Sequence, residues 1–161
     1  MAGSPMSYVA EVLQPDEKVL VTSTIHWAIY LPGIVLTAAG FVGFLYGYGG
    51  AGADSAMRDI VWALSLLLLA AGFLSLFRAW FRRWTTEIAV TNRRVIYKRG
   101  FIRRYTVEMH MDKVESIDVD QTVLGRLLDY GDVIVRGTGT GFEPLHMIEA
   151  PIKLRNAVTA K

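Results

Sequence analysis

The run Ile60–Phe77, IVWALSLLLLAAGFLSLF, contains neither a charge nor a proline. As a helix its 18 residues extend about 27 Å, close to the hydrocarbon thickness of a bilayer. It is followed by Arg78-Ala79-Trp80-Phe81-Arg82-Arg83-Trp84, and Trp62, Trp80 and Trp84 fall where interfacial aromatics belong. The run therefore reads as a transmembrane helix over about 60–80. A second candidate precedes it. Trp27–Gly47 carries no charge, has aromatic ends in Trp27, Tyr30, Tyr46 and Tyr48, and places Pro32 near its start, where a helix tolerates it. Tyr48–Asp59 is then a glycine-rich connector, with Asp54 or Ser55 available to cap the second helix.

Charge orients this hairpin. Residues 1–77 are net −3 and residues 78–161 net +5, while the whole chain is only +2. The connector holds a single base, Arg58, whereas Lys18 and Arg78, Arg82, Arg83, Arg93 and Arg94 flank the other ends. The positive-inside rule then places both termini in the cytoplasm and the connector outside, and predicts a multi-pass membrane protein. No basic stretch leads into a short apolar run within the first 25 residues, so cleavable secretion is not expected. There is no cysteine, which removes disulfide and thiol chemistry.

Small residues mark faces of the two helices. Gly33, Gly40, Gly43 and Gly47 recur at spacings of three, four or seven in the first helix, and Ser65, Gly72 and Ala79 recur every seven in the second. Such stripes let helix backbones approach closely in lipid. They serve either to pack the two helices on each other or to receive another protomer or another membrane protein.

Outside the hairpin the period changes from helical to two. After Pro15-Asp16, a turn signal, residues 18–24 alternate as a strand. A lone strand is unstable, so this one must pair with something later, within a domain built mainly from 84–161. There the strands are expected at Thr86–Val90, Arg94–Lys98, Phe101–His110, Val114–Gln121, Asp132–Gly137 and Leu145–Ala150. Asn92 is expected to turn the first of these hairpins by accepting positive φ. Thr122–Tyr130 breaks the alternation as a loop or helical turn, and Pro151–Val158 suits a short terminal helix. The sheet is expected to have one packed face and one wet face.

Several of these stretches together resemble a family. Leu13-Gln14-Pro15-Asp16-Glu17-Lys18-Val19-Leu20, a two-helix hairpin, Val90-Thr91-Asn92-Arg93-Arg94-Val95-Ile96, Met111-Asp112-Lys113-Val114-Glu115-Ser116-Ile117 and Leu124-Gly125-Arg126-Leu127-Leu128-Asp129-Tyr130-Gly131 occur in this order. The chain resembles, from about Tyr8 to Val158, the bacterial membrane-anchored pleckstrin-homology (PH)-like proteins of the YdbS/YdbT-like group. The resemblance implies an α+β membrane protein. Its parts are an N-terminal segment 1–25, a transmembrane hairpin 26–83, and a cytoplasmic PH-like antiparallel β-barrel or sandwich over 84–161 capped by a C-terminal helix. The strand near 18–24 completes about seven strands in two sheets.

The sequence offers no arrangement for catalysis, and no metal or cofactor is expected. His26, His110 and His146 lack paired-ligand spacing. Gly137-Thr138-Gly139-Thr140-Gly141 is followed by neither Gly-Lys-Ser/Thr nor a helix, so it reads as a hairpin and not as a phosphate loop. Basic residues interleave with acids beside a membrane, which argues against nucleic acid. Arg78, Arg82, Arg83, Arg93, Arg94, Arg103 and Arg104 are the candidate lipid-facing or interaction residues. They would orient the domain on the leaflet or read anionic head groups. The expected function is a non-enzymatic interaction or assembly module that binds itself or a membrane protein partner. The alternative is an anionic-lipid sensor.

Overall fold

The structure is a computed structural model that describes residue 9 and residues 12–49, 55–101, 105–138 and 144–159. It divides into two compact units, residues 27–81 and residues 1–26 together with 82–161.

In the first of these a 3-10 turn, Trp27–Tyr30, leads into α1 (Leu31–Gly49), and α2 spans Ser55–Thr85. Pro32 sits in the first turn of α1, where its missing N–H would have had no helical partner. α2 continues well past residue 80, through the arginine cluster. Nothing in Phe77–Thr85 breaks a helix, and Arg82 and Arg83 in its last turn suit the negative end of the helix dipole. The glycines meet the opposite helix. A side chain at Gly33 would meet Leu76, at Gly40 Leu69 and Ser65, at Gly43 Ser65, and at Gly47 Trp62. Gly72 in turn faces Thr37. Ser65 and Thr37 donate to carbonyls of their own helices, Val61 O at 2.6 Å and Gly33 O at 2.8 Å, so neither hydroxyl is stranded in the apolar pair. Both helices are long and apolar enough to cross a membrane, and only 17% and 11% of their most apolar windows is buried.

The other unit is α+β. β1 (Val19–Ser23), β2 (Glu87–Thr91), β3 (Arg94–Arg99) and β4 (Tyr105–His110) form one antiparallel sheet in that order. β5 (Val114–Asp120), β6 (Tyr130–Gly137) and β7 (Leu145–Glu149) form a second. The short helix α3 (Val123–Leu128) joins β5 to β6, and α4 (Pro151–Thr159) ends the described chain. The early strand pairs with β2, Ser23 opposite Ile88 and Thr22 opposite Ala89, as its instability alone required. Beyond β1 the chain crosses to the second sheet. Glu149 N donates to Thr24 O at 3.0 Å, Ile25 bridges Ile148, and His26 N donates to Met147 O at 2.7 Å. The two sheets are thereby joined along one side.

The alternating residues Ile88, Val90, Val95, Tyr97, Met109, Val133, Val135, Leu145 and Ile148 fill the core, and Leu154 and Val158 of α4 close it. In α4 these two lie four apart on one helix face, the pattern that marked the segment as helical. The expectation of a wet outer face does not hold for the first sheet. Ala89 and Ile96, which point away from that core, are fully buried, and so is Val9. Arg94 on the same face bonds to Val12 O and to Glu17, so the N-terminal segment crosses over this side of the sheet.

Candidate functional site

The residue pattern Thr91-Asn92-Arg93-Arg94 forms the hinge of β2 and β3, and the pattern Gln14-Pro15-Asp16-Glu17-Lys18 closes over it. Glu17 N donates to Gln14 O at 3.0 Å, making a tight turn with Pro15 in its fixed conformation and Asp16 at φ 70°. That turn aims the Glu17 carboxylate at Arg94. The guanidinium grips it with two nitrogens, Nε to Oε1 at 3.0 Å and Nη2 to Oε2 at 2.9 Å. Nη1 donates to Glu108 Oε2 at 2.6 Å, and Nη2 also donates to Val12 O at 2.9 Å. Thr91 Oγ1 donates to Glu17 Oε1 at 2.7 Å and accepts from the backbone N–H groups of Arg93 and Arg94 at 3.2 and 3.0 Å. Gln14 N donates to Glu17 Oε2 at 3.0 Å. No buried side-chain nitrogen or oxygen of Glu17, Thr91 or Arg94 lacks a partner, as a buried ion pair requires.

Arg94 is only 8% exposed. Its charge is consumed inside the domain, and the expectation that it faces lipid or a partner gives way to a structural role. The reason Asn92 stands in this turn is also different from the expected one. Its φ is not positive. Its side chain instead accepts from Lys18 N at 2.9 Å, while its own N–H donates to Lys18 O at 3.1 Å. Asn92 is a clasp for the N-terminal segment.

The Arg94 guanidinium holds the Glu17 carboxyl down at about 2, helped by Gln14 N–H and Thr91 and opposed by burial. Arg94 is pushed further up by the same partner. Because the folded value of Glu17 lies below its ordinary 4.5, its contribution to stability is complete above pH 4.5 and is lost as pH falls toward 2. Acid unfolding followed by circular dichroism should therefore show a component in that window. Glu17→Gln, which cannot titrate, should lack it while being less stable at pH 7.

The strand register sorts the remaining basic residues. The chain leaves this domain after His26, three residues beyond Ser23, and re-enters it at Arg82, and Ser23 and Ile88, at the ends of β1 and β2 nearest those points, are paired. The Asn92-Arg93 turn lies at the other end of the five-residue β2, about 15 Å away. Arg93 Nη1 there donates to Gln14 Oε1 at 3.4 Å. Lys98 pairs with Glu87 and Arg99 with Tyr105, at the end where the chain leaves. Arg82 and Arg83 lie in the last turn of α2, and Trp84 packs against Phe101 with ring centroids 5.4 Å apart and planes tilted by 32° at that same end. Arg78 is an exposed residue of α2. Arg103 and Arg104 lie outside the described residues, as do the center of the glycine-rich hairpin and Asp54.

His146 and Asp132, fourteen residues apart on different strands, form a pair that no sequence spacing announces, Nδ1 to Oδ2 at 2.7 Å. Asp132 Oδ1 also accepts from Met147 N at 2.9 Å. Met147 has φ 58°, and its carbonyl receives His26 N. The carboxylate braces an unusual backbone residue at the point where the chain departs. Among the described residues no cluster of three or more histidines and acids has the arrangement to hold a metal.

Among the described residues β4 in the first sheet and β5 in the second are outer strands with a strand neighbor on one side only, whereas the opposite outer strands, β1 and β7, are tied through residues 24–26. A buried structural clip, a joined seam on one side and an open seam on the other make a scaffold that presents surfaces. A match to the family described as the bacterial PH domain covers residues 28–161. The chain belongs to the bacterial PH domain family. No curated protein matches it. The family points to a non-enzymatic interaction module, since PH-like domains are generally non-catalytic and commonly bind lipids or proteins. The YdbS/YdbT-like grouping stays a resemblance of motifs. In this PH domain the matched segment starts after β1, so the strand and the acid that clasp Arg94 come from the part of the chain that precedes the match.

Proposed function

We propose that the chain is a membrane-anchored PH-like module, held by two spans with both termini cytoplasmic, that assembles with a second copy or with a membrane protein. The anchor is supported by the surface of α1 and α2, where Val35, Val42, Leu67 and Phe73 are each more than 60% exposed. So large an apolar surface is not stable in water. The observation that carries the binding mode is the open seam. β1 and β7 are tied through residues 24–26, whereas β4 and β5 are edges available for strand addition. β5 presents exposed Glu115 and Asp120, while Asp118 is already paired with Arg136 at 2.8 Å, so a basic partner strand is favored. The small-residue faces are used within the hairpin, which leaves the β domain as the assembling part.

Native mass spectrometry of protein extracted gently from its own membranes should give a discrete homo-oligomer or a second polypeptide. Combining Glu115→Lys with Asp120→Lys should remove it while leaving the fold intact. A monomer that carries only a defined lipid would sink the assembly reading.

The second reading, a head-group sensor, is favored by the register that gathers Arg82, Arg83, Lys98 and Arg99 at the departure end. On that reading, Arg82→Ala with Arg83→Ala abolishes the difference in β3 hydrogen exchange between anionic and neutral nanodiscs, whereas Arg93→Ala preserves it. Unchanged exchange in the first variant would dismiss it.

A further inference from the structure

The six residues of α3 carry three large apolar side chains on the outside of the domain. Val123 is 85% exposed, Leu124 63% and Leu127 79%. Val123 and Leu127 are four apart and Leu124 and Leu127 three apart, so the three share one face. This face is not a consequence of disorder in the helix. Thr122 caps its start by accepting from Gly125 N at 3.0 Å, and Asp129 caps its end in the left-handed conformation, φ 58°. Ala150 N donates to Asp129 O at 2.9 Å and Gln121 Nε2 to Tyr130 O at 3.1 Å, fixing both shoulders. Gly125, on the opposite side, is buried so close to β6 that a side chain there would meet Tyr130 O at 2.6 Å. The fold thus presses a glycine inward and holds three apolar groups out, against the transfer free energy that normally buries them.

What covers this face is indicated by its neighbor. Tyr130, on which Gly125 rests, stacks on His26 with ring centroids 5.1 Å apart. His26 is the last residue before the first apolar helix segment, which begins at Trp27. Allowing about 10 Å for the thickness of a helix, the outer face of α3 lies within about 20 Å of the point where the chain departs. The helix contains no acid and has one base, Arg126, beside the apolar group. An apolar face with an adjacent arginine suits insertion at the headgroup boundary, where the arginine reaches phosphate and the leucines reach acyl chain.

We infer that α3 is a third membrane contact, an interfacial foot that inserts Val123, Leu124 and Leu127 into the same leaflet from which the chain enters the bilayer. This rests on the membrane-anchored reading of α1 and α2. It makes the orientation of the domain a property of α3 and not of basic residues alone.

The absence of native cysteine allows a direct test in the full chain. Leu127→Cys, Lys113→Cys and Phe73→Cys are each labeled with an environment-sensitive fluorophore in nanodiscs containing lipids that bear a quencher on the acyl chain. The expected result is strong quenching at Phe73→Cys and at Leu127→Cys, the latter at least about twofold above Lys113→Cys, as a depth of about 5–10 Å implies. Quenching at Phe73→Cys with none at Leu127→Cys would overturn the foot and leave the anchor standing. In that case, shielding of the Leu127→Cys label from an aqueous quencher would assign the face to protein. Loss of quenching at Phe73→Cys would overturn the anchor itself, and the foot with it.

Discussion

Arg94→Ala is expected to destabilize the β domain by about 3–5 kcal/mol, the range for breaking a buried ion pair from one side. The loss is large because of what remains behind. Glu17, whose side chain is fully buried, would keep its charge with only Gln14 N–H and Thr91 Oγ1 as donors. Val12 O would lose its donor as well. A domain of this size has a total stability of only about 5–15 kcal/mol, so the variant approaches the unfolding threshold. Arg94→Lys should recover little of the loss, since an ammonium cannot make the two-pronged contact with Glu17 and still reach Glu108. Hydrogen exchange by mass spectrometry under a denaturant series would locate the effect. The amides of β1 and β2 should lose protection together, because the clip fastens the segment that becomes β1. A measured cost below about 1 kcal/mol, the worth of an exposed pair, would mean that the cluster is not desolvated as described.

Gly72→Leu is expected to cost the helical hairpin about 3 kcal/mol, at the upper end of overpacking effects. A Cβ at this position would lie 2.7 Å from Thr37 N and 3.0 Å from Thr37 Cα. These are backbone atoms of α1, so relief requires the helices to separate and not merely a rotamer to change. Separation at Gly72 would also loosen the contacts of Gly33 with Leu76 and of Gly40 with Leu69, which lie on the same seam. Gly49→Ala is the matched control, because a Cβ there meets nothing within 4 Å. Trp62 reports the change: it packs on Phe44 with ring centroids 4.7 Å apart and meets Gly47 across the pair. With the other three tryptophans replaced by phenylalanine, detergent-denaturation midpoints followed by Trp62 fluorescence should fall for Gly72→Leu and stay level for Gly49→Ala. Equal midpoints would show that the seam is not close-packed.

The parts of this architecture that were legible in the sequence are those governed by neighbors a few residues apart. Ile60–Phe77 reads as a helix of spanning length from composition alone. Ile88 and Val90, or Val133 and Val135, declare a strand because successive side chains alternate between faces. Leu154 and Val158 declare a helix for the corresponding reason at a period near four. The glycine stripes announced close helix contact, though not whether the partner was the next helix or another chain. The Lys18–Thr24 segment even revealed that it needed a distant partner, since a single strand cannot stand alone.

Arg93 and Arg94 show where local reasoning stops. They are adjacent and identical in kind, and alternation says only that they point to opposite sides. Which side is covered depends on a segment more than 75 residues earlier, and on a turn at Pro15-Asp16 that aims Glu17 at one of them. The same holds for Asn92, whose value lies in a bond to Lys18, and for Asp132, which braces a backbone residue on another strand. Leu124 and Leu127 show the converse: two apolar residues are held outside by the close seating of Gly125. The sequence by itself determined the elements, because periodicity and length are set by short-range backbone geometry. Only the tertiary structure decided which charges are spent internally and which apolar groups are left exposed, because desolvation depends on what the rest of the chain brings to each face.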